Sequence, residues 1–123
     1  MNALRLAALA LAFYACAAPV PEISVQELKA KRDGKQKFVL LDVREPKEYA
    51  IAKIEGSKLI PLGALAERLG ELDKSTPLIV HCKSGGRSAA AVRLLREKGY
   101  DAVNVTGGID AWSRTIDPAV PRY

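Results

Sequence analysis

The chain alternates short apolar runs with segments of helical periodicity, and this alternation constrains the fold more than any other feature. Residues 38–43 are apolar except at Asp42, and residues 78–82 form a second such run. Continuous runs of this length are typical of strands buried on both faces of a parallel sheet. Residues 58–60 and 102–105 predict two shorter strands. Because helix-length segments separate the strands, we expect an α/β fold with a central, mostly parallel sheet and helices on both faces.

Helix signals occupy the segments between these strands. Ser24 and Glu27 form a capping box, and Gly34 is placed to end the helix that follows. Pro46 suits the first turn of a short helix. The segments predicted to be helical are residues 25–33, 46–52, 63–72, 88–98 and 109–114.

The first twenty residues differ from the rest of the 123-residue chain. Arg5 precedes an apolar run and the small residues that follow it, and no acidic residue occurs before Glu22. This pattern is typical of a signal peptide, and the apolar run is too short for a stable membrane span. We therefore expect a leader over residues 1–20, one domain over residues 21–123, and export to the periplasm or cell envelope. The alternative is a frayed N-terminal helix on a cytoplasmic protein.

Composition excludes several classes of protein. Two cysteines cannot form a disulfide framework, and a single histidine cannot build the usual zinc sites, so no metal is expected. The net charge of +5 is spread along the chain, which has only one Trp, four Tyr and two Phe. Nucleic-acid-binding surfaces are usually more densely basic and carry interleaved aromatic residues, so no nucleic-acid partner is expected. The charge favours small anionic ligands.

The segment from His81 to Ser88 carries the strongest chemical signal. Ligands of open parallel sheets bind beyond the carboxyl ends of the strands, and Cys82 lies at such an end. Gly85 and Gly86 permit a tight loop whose amide groups converge on an anion, and the helix predicted from Ser88 adds its positive N-terminal end. A cysteine at the mouth of such a loop ionises readily and is nucleophilic. His81 is expected to be buried in the strand, because its side chain alternates away from that of Cys82.

Four motifs in this chain resemble those of the rhodanese sulfurtransferases. The loop His-Cys-Lys-Ser-Gly-Gly-Arg-Ser at 81–88 resembles their active-site loop, and residues 41–49, 54–61 and 107–112 resemble three further signatures in the same order. The chain departs from the family at Ala52 and Lys53, where a Gly-His pair is frequent. Residues 16–24 and 117–123 resemble the rhodanese domain that is fused to sulfur-carrier adenylyltransferases. The resemblance covers residues 22–112 and implies a rhodanese-like fold.

The resemblance implies a sulfurtransferase in which Cys82 carries a persulfide, with no other cofactor. The sulfur would come from thiosulfate or another small anionic donor and pass to cyanide, a thiol or a protein. We expect Asp42 and Arg44 to form a supporting pair that braces the loop. The residues expected to bind the donor are Lys83, Ser84, Gly85, Gly86, Arg87 and Ser88. Ser84 alternatively forms a turn, and Ser88 alternatively caps the helix.

Two other functions are compatible with a fold of this kind. The first is a related phosphatase or arsenate reductase, whose loop has one more residue between the cysteine and the arginine. Only four residues separate Cys82 from Arg87, and a smaller ring of amides suits one sulfur atom better than a tetrahedral oxyanion. The second is a non-catalytic binding module, which the presence of Cys82 argues against.

Overall fold

A five-stranded parallel sheet forms the centre of the protein, in a computed structural model that describes residues 19–123. The strands are β1 (Glu22–Ile23), β2 (Val39–Asp42), β3 (Lys58–Leu59), β4 (Leu78–His81) and β5 (Ala102–Val105). Their order across the sheet is β1-β5-β4-β2-β3, and every neighbouring pair is parallel. The predicted α/β fold with a parallel sheet is confirmed. The predicted leader lies outside the described residues, apart from Pro19 and Val20.

Alternate residues of the strands feed two apolar cores, one on each face of the sheet. Leu41 and Val80 belong to one core, whereas Leu40 and Ile79 belong to the other. The helices that cover these faces are α1 (Val25–Asp33), α2 (Pro46–Ile51), α3 (Leu62–Leu65), α4 (Gly86–Glu97) and α5 (Gly108–Thr115). Helices α3 and α4 contribute to the first core, and α1 and α5 contribute to the second. Burial on both faces explains why the strands read as continuous apolar runs.

The prediction of one helix over residues 63–72 is wrong. The structure has the four-residue α3 and a separate 3₁₀ turn, Leu69–Glu71. The N–H of Arg68 donates to the carbonyl of Leu65 at 3.0 Å, and the N–H of Leu72 donates to the carbonyl of Leu69 at 3.0 Å. Both bonds span three residues, as in a 3₁₀ turn, and not the four of a continuing α-helix. Gly63 and Gly70 lower the helical propensity of the segment, and burial of Leu65 and Leu72 does not require a continuous helix.

Strand β1 was not predicted from the sequence. It contains only Glu22 and Ile23, paired with Asn104 and Val105 of β5. Two residues cannot show a period of alternation, so its position follows only from the sheet edge that β5 offers.

Register brings the candidate residues to one edge of the sheet. Asp42, the last residue of β2, pairs with His81, the last residue of β4. Arg44 and Cys82 therefore follow at the same carboxyl edge. Within residues 19–123, no cluster of acidic, histidine and cysteine side chains has the arrangement of a metal site. No helix in this part of the chain is long and apolar enough to cross a membrane.

Candidate active site

Cys82 lies directly after β4, and its side chain is almost completely buried. Its Sγ accepts the backbone N–H of Gly85 at 3.1 Å and lies 3.3 Å from the Ser88 hydroxyl. Burial opposes ionisation of the thiol. Hydrogen bonds from the Ser88 hydroxyl and from loop amide groups outweigh burial, so the pKa of Cys82 lies below its ordinary value. The structure thus surrounds the sulfur with groups that favour a thiolate.

The loop closes tightly because Gly85 adopts a left-handed conformation, with φ of 118°. Gly85 is the residue before α4, which begins at Gly86 rather than at the predicted Ser88. The two extra residues place Arg87 and Ser88 inside the first turn, so Ser88 does not cap the helix. The twelve-residue helix directs its positive N-terminal end toward the sulfur.

Ser88 is held by Asn104, a buried residue of β5. The Asn104 amide N–H₂ donates to the Gly85 carbonyl at 3.1 Å, and its Oδ1 lies 2.6 Å from the Ser88 hydroxyl. The carbonyl of Gly85 can only accept, which fixes the orientation of the Asn104 amide. Asn104 therefore braces both Gly85 and Ser88, two of the residues whose groups donate to Sγ.

Arg87 forms a two-pronged ion pair with Glu48 of α2. Its two terminal nitrogens lie 2.7 and 3.0 Å from the two Glu48 carboxylate oxygens. The pair lowers the pKa of Glu48 to about 2 and raises that of Arg87 above its ordinary value. After Glu48, the charge of Cys82 makes a smaller contribution to the raised pKa of Arg87. Arg87 is thus a fixed cation beside the loop.

Lys83 is also paired, whereas Ser84 is exposed at the loop surface. The Lys83 ammonium lies 2.9 Å from a carboxylate oxygen of Asp110 in α5 and donates to the Tyr123 carbonyl at 2.6 Å. Each cation of the loop therefore has an acidic partner from another part of the chain.

Asp42 and Arg44 form a fully buried ion pair, with 2.6 Å between Arg44 Nη2 and Asp42 Oδ2. Arg44 Nη2 also donates to the Ala52 carbonyl at 2.7 Å, so the cation is well satisfied. His81 is buried beside them, with its Nε2 3.8 Å from Asp42. Burial lowers the pKa of His81, which favours the neutral ring and a structural place in the core.

Helix α5 fixes the loop from its other side. The N–H groups of Ile109 and Asp110 donate to the carbonyls of Cys82 and Lys83 at 2.9 and 3.0 Å. This contact requires the backbone of Gly108 to lie directly against those carbonyls. The second glycine pair of the sequence therefore shapes the loop that follows Cys82.

Sequence reasoning missed four residues of the site: Glu48, Asn104, Asp110 and Tyr123. Each comes from a distant segment and shows no periodicity or spacing that links it to the loop. The usable signal was the set of motifs, since Glu48 lies within residues 41–49 and Asp110 within residues 107–112.

The rhodanese-like domain family model matches residues 24–115. This chain belongs to the rhodanese-like family. A rhodanese-like domain protein of Staphylococcus aureus superimposes with a TM-score of 0.74 at 34% identity, covering 84% of this chain and 98% of that chain. The sequence resemblance and the expected fold are thereby confirmed.

Relatives of this rhodanese-like domain carry names that refer to sulfur transfer. The putative sulfurtransferase YtwF of Bacillus subtilis is 36% identical over 80% of this chain and 96% of that protein. The adenylyltransferase and sulfurtransferase MOCS3-1 of Zea mays is 40% identical over 82% of this chain, which spans only 23% of the maize protein. These relatives support a sulfur-transfer role at the level of the family.

Replacing Arg87 tests whether its charge acts on the sulfur of Cys82 in this rhodanese-like domain. In Arg87→Ala, we expect the pH midpoint of Cys82 alkylation by iodoacetamide to rise, because a cation that favours the thiolate is lost. Arg114→Ala, which removes an exposed arginine at the far end of α5, is the control and leaves the midpoint unchanged. Superimposable curves for wild type and Arg87→Ala would mean that the loop amides act alone.

Proposed function

We propose that this rhodanese-like domain is a sulfurtransferase that carries sulfane sulfur as a persulfide on Cys82. The donor is thiosulfate or another persulfide, and the acceptor is a thiophile such as cyanide, a thiol or a protein. The observation that carries the proposal is the position of Cys82 Sγ, 3.1 Å from the Gly85 amide nitrogen and at the N-terminus of α4. This arrangement favours an anionic sulfur, which the chemistry needs in both steps.

The first step is a displacement at sulfur. The Cys82 thiolate attacks the outer sulfur of thiosulfate, the new S–S bond forms, and the S–S bond of thiosulfate breaks. Sulfite leaves with the electron pair of the broken bond. The product is a Cys82 persulfide whose terminal sulfur carries the negative charge.

The second step returns the enzyme to its starting state. The acceptor attacks the terminal sulfur, the persulfide bond breaks, and Cys82 recovers its electron pair as a thiolate. Cyanide leaves as thiocyanate, and an acceptor thiolate leaves as a persulfide. Atoms and charge balance without a general base, which agrees with the neutral, buried His81.

The size of the loop supports sulfur as the transferred group. Four residues separate Cys82 from Arg87, and Sγ accepts hydrogen bonds from the Gly85 amide and the Ser88 hydroxyl, with the Ser84 and Ser88 amides also favouring its anionic form. One negatively charged sulfur atom needs few donors, whereas a phosphoryl group has three oxygens to satisfy. The tight loop thus favours sulfur transfer over phosphate ester hydrolysis.

Intact mass measurement tests the proposal. After incubation with thiosulfate, we expect the protein to gain the mass of one sulfur atom, localised to Cys82 by peptide mapping. Addition of cyanide should remove the added mass and release thiocyanate. Incubation with sulfate, which has no outer sulfur, is the control. An unmodified Cys82, together with hydrolysis of an aryl phosphate, would instead support the phosphatase function.

A further inference from the structure

The hydroxyl of Tyr123 connects two ion pairs that are otherwise separate. Arg44 Nη1 donates to the Tyr123 oxygen at 2.7 Å, and the Tyr123 hydroxyl donates to Glu48 Oε2 at 2.8 Å. A guanidinium can only donate and an ionised carboxylate can only accept, so the direction of both bonds is fixed. Burial raises the pKa of Tyr123, so the hydroxyl keeps the proton that it donates to Glu48.

These bonds form a continuous chain from the core to the catalytic loop. The chain runs through Asp42, Arg44, Tyr123, Glu48 and Arg87. Its inner end, the Asp42–Arg44 pair, is fully buried, whereas the Arg87 side chain is 38% exposed. An ion pair at the surface holds its partners weakly on its own. Anchoring Glu48 to a buried pair restricts the positions that Arg87 can adopt.

Tyr123 also holds the other cation of the loop. The Lys83 ammonium lies 4.3 Å from the centre of the Tyr123 ring and donates to the Tyr123 carbonyl at 2.6 Å. A cation over an aromatic face is attracted to it. One residue, distant in sequence, therefore contacts Lys83 directly and Arg87 through Glu48.

We propose that Tyr123 is a positioning residue of the active site. Its hydroxyl orients Arg87 through Glu48, and this sets the positive potential around Cys82 that an anionic sulfur donor meets. The identity of that donor rests on the proposed function. The electrostatic effect on Cys82 does not, so the two can be tested separately.

The test compares alkylation of Cys82 by anionic iodoacetate and by neutral iodoacetamide at one pH. The ratio of the two rates reports the local positive potential and requires no sulfur transfer. We expect the ratio to fall about two- to five-fold in Tyr123→Phe, because loss of the bond to Glu48 weakens the hold on the partly exposed Arg87 without removing its charge. Tyr100→Phe is the matched control, because its hydroxyl donates to the Leu69 carbonyl, away from the loop.

A double-mutant cycle shows whether Tyr123 acts through Arg87. In Arg87→Ala the ratio falls further than in Tyr123→Phe, and adding Tyr123→Phe to Arg87→Ala produces no additional fall. In the thiosulfate assay, Tyr123→Phe should raise KM with little change in kcat. Thermal melts of all variants confirm that they are folded.

Two results would overturn the proposal: an unchanged ratio in Tyr123→Phe, or an equal fall in the presence and absence of Arg87. If the variants show the expected falls in the ratio but the wild-type protein forms no persulfide with thiosulfate, the proposed function is refuted and the role of Tyr123 stands.

Discussion

Cys82→Ser is expected to abolish sulfur transfer from thiosulfate to cyanide, with a fall of roughly 10⁴-fold or more, as when a covalent nucleophile is removed. A serine hydroxyl is not ionised near neutral pH and cannot hold a persulfide. The side chain is nearly isosteric, so the fold should persist. Thiocyanate release, measured beside circular dichroism of the same sample, checks both expectations.

The second cysteine of the chain provides the control for this prediction. Cys16→Ser removes the other thiol and should leave the rate of thiocyanate release unchanged. Comparable rates for wild type and folded Cys82→Ser would contradict a covalent role for Cys82. Loss of activity in both single variants would indicate a mechanism that needs two thiols.

Among glycine-to-alanine substitutions at this site, Gly108→Ala is expected to lower the free energy of unfolding most. Gly108 has φ of 55°, and a Cβ there would lie 2.6 Å from the Lys83 carbonyl oxygen and closer still to that of Cys82. The methyl group would push the loop at Cys82 and Lys83 away from the Ile109 and Asp110 amides. We expect a loss of roughly 2–5 kcal/mol in the free energy of unfolding, from overpacking and backbone strain together. Urea denaturation measures it.

Gly86→Ala is the matched control within the same loop. A Cβ at Gly86 meets no atom within 4 Å, and its φ is not positive. This variant should unfold at a urea concentration close to that of the wild type, and Gly108→Ala should in addition lose sulfur transfer at temperatures where it is still folded. An unfolding free energy of Gly108→Ala equal to that of Gly86→Ala would show that the loop does not depend on the close approach of α5.

The sequence predicts those parts of the fold that have strong local patterns. The runs at 38–43 and 78–82 predict strands because burial on both faces selects apolar residues without interruption. The strand-end rule then places Cys82 at the functional edge. The segment at 63–72 misled the same reasoning, because apolar spacing alone does not distinguish one helix from two short turns.

The partners of the loop could not be predicted from local patterns. Arg87 looks like a free loop cation in the sequence, whereas the structure pairs it with Glu48, 39 residues earlier in the chain. Asn104 looks like a polar interruption in a strand, yet it contacts both Gly85 and Ser88. Such contacts depend on the order of the strands in the sheet and on their register. The spacing of residues along the chain predicts neither the order nor the register.

The hydroxyl of Ser88 has one proton and three acceptors within reach: Asn104 Oδ1 at 2.6 Å, the Gly85 carbonyl at 3.2 Å and Cys82 Sγ at 3.3 Å. Rotation about the Cβ–Oγ bond of Ser88 directs that proton to one acceptor or another. When Cys82 is a thiol, the Ser88 hydroxyl donates to Asn104 Oδ1 and the serine oxygen can accept the thiol hydrogen. When the sulfur is an anion, the proton turns toward it. Rotation of this one hydroxyl group therefore lets the surroundings of Cys82 adjust to the charge of the sulfur with no movement of the backbone.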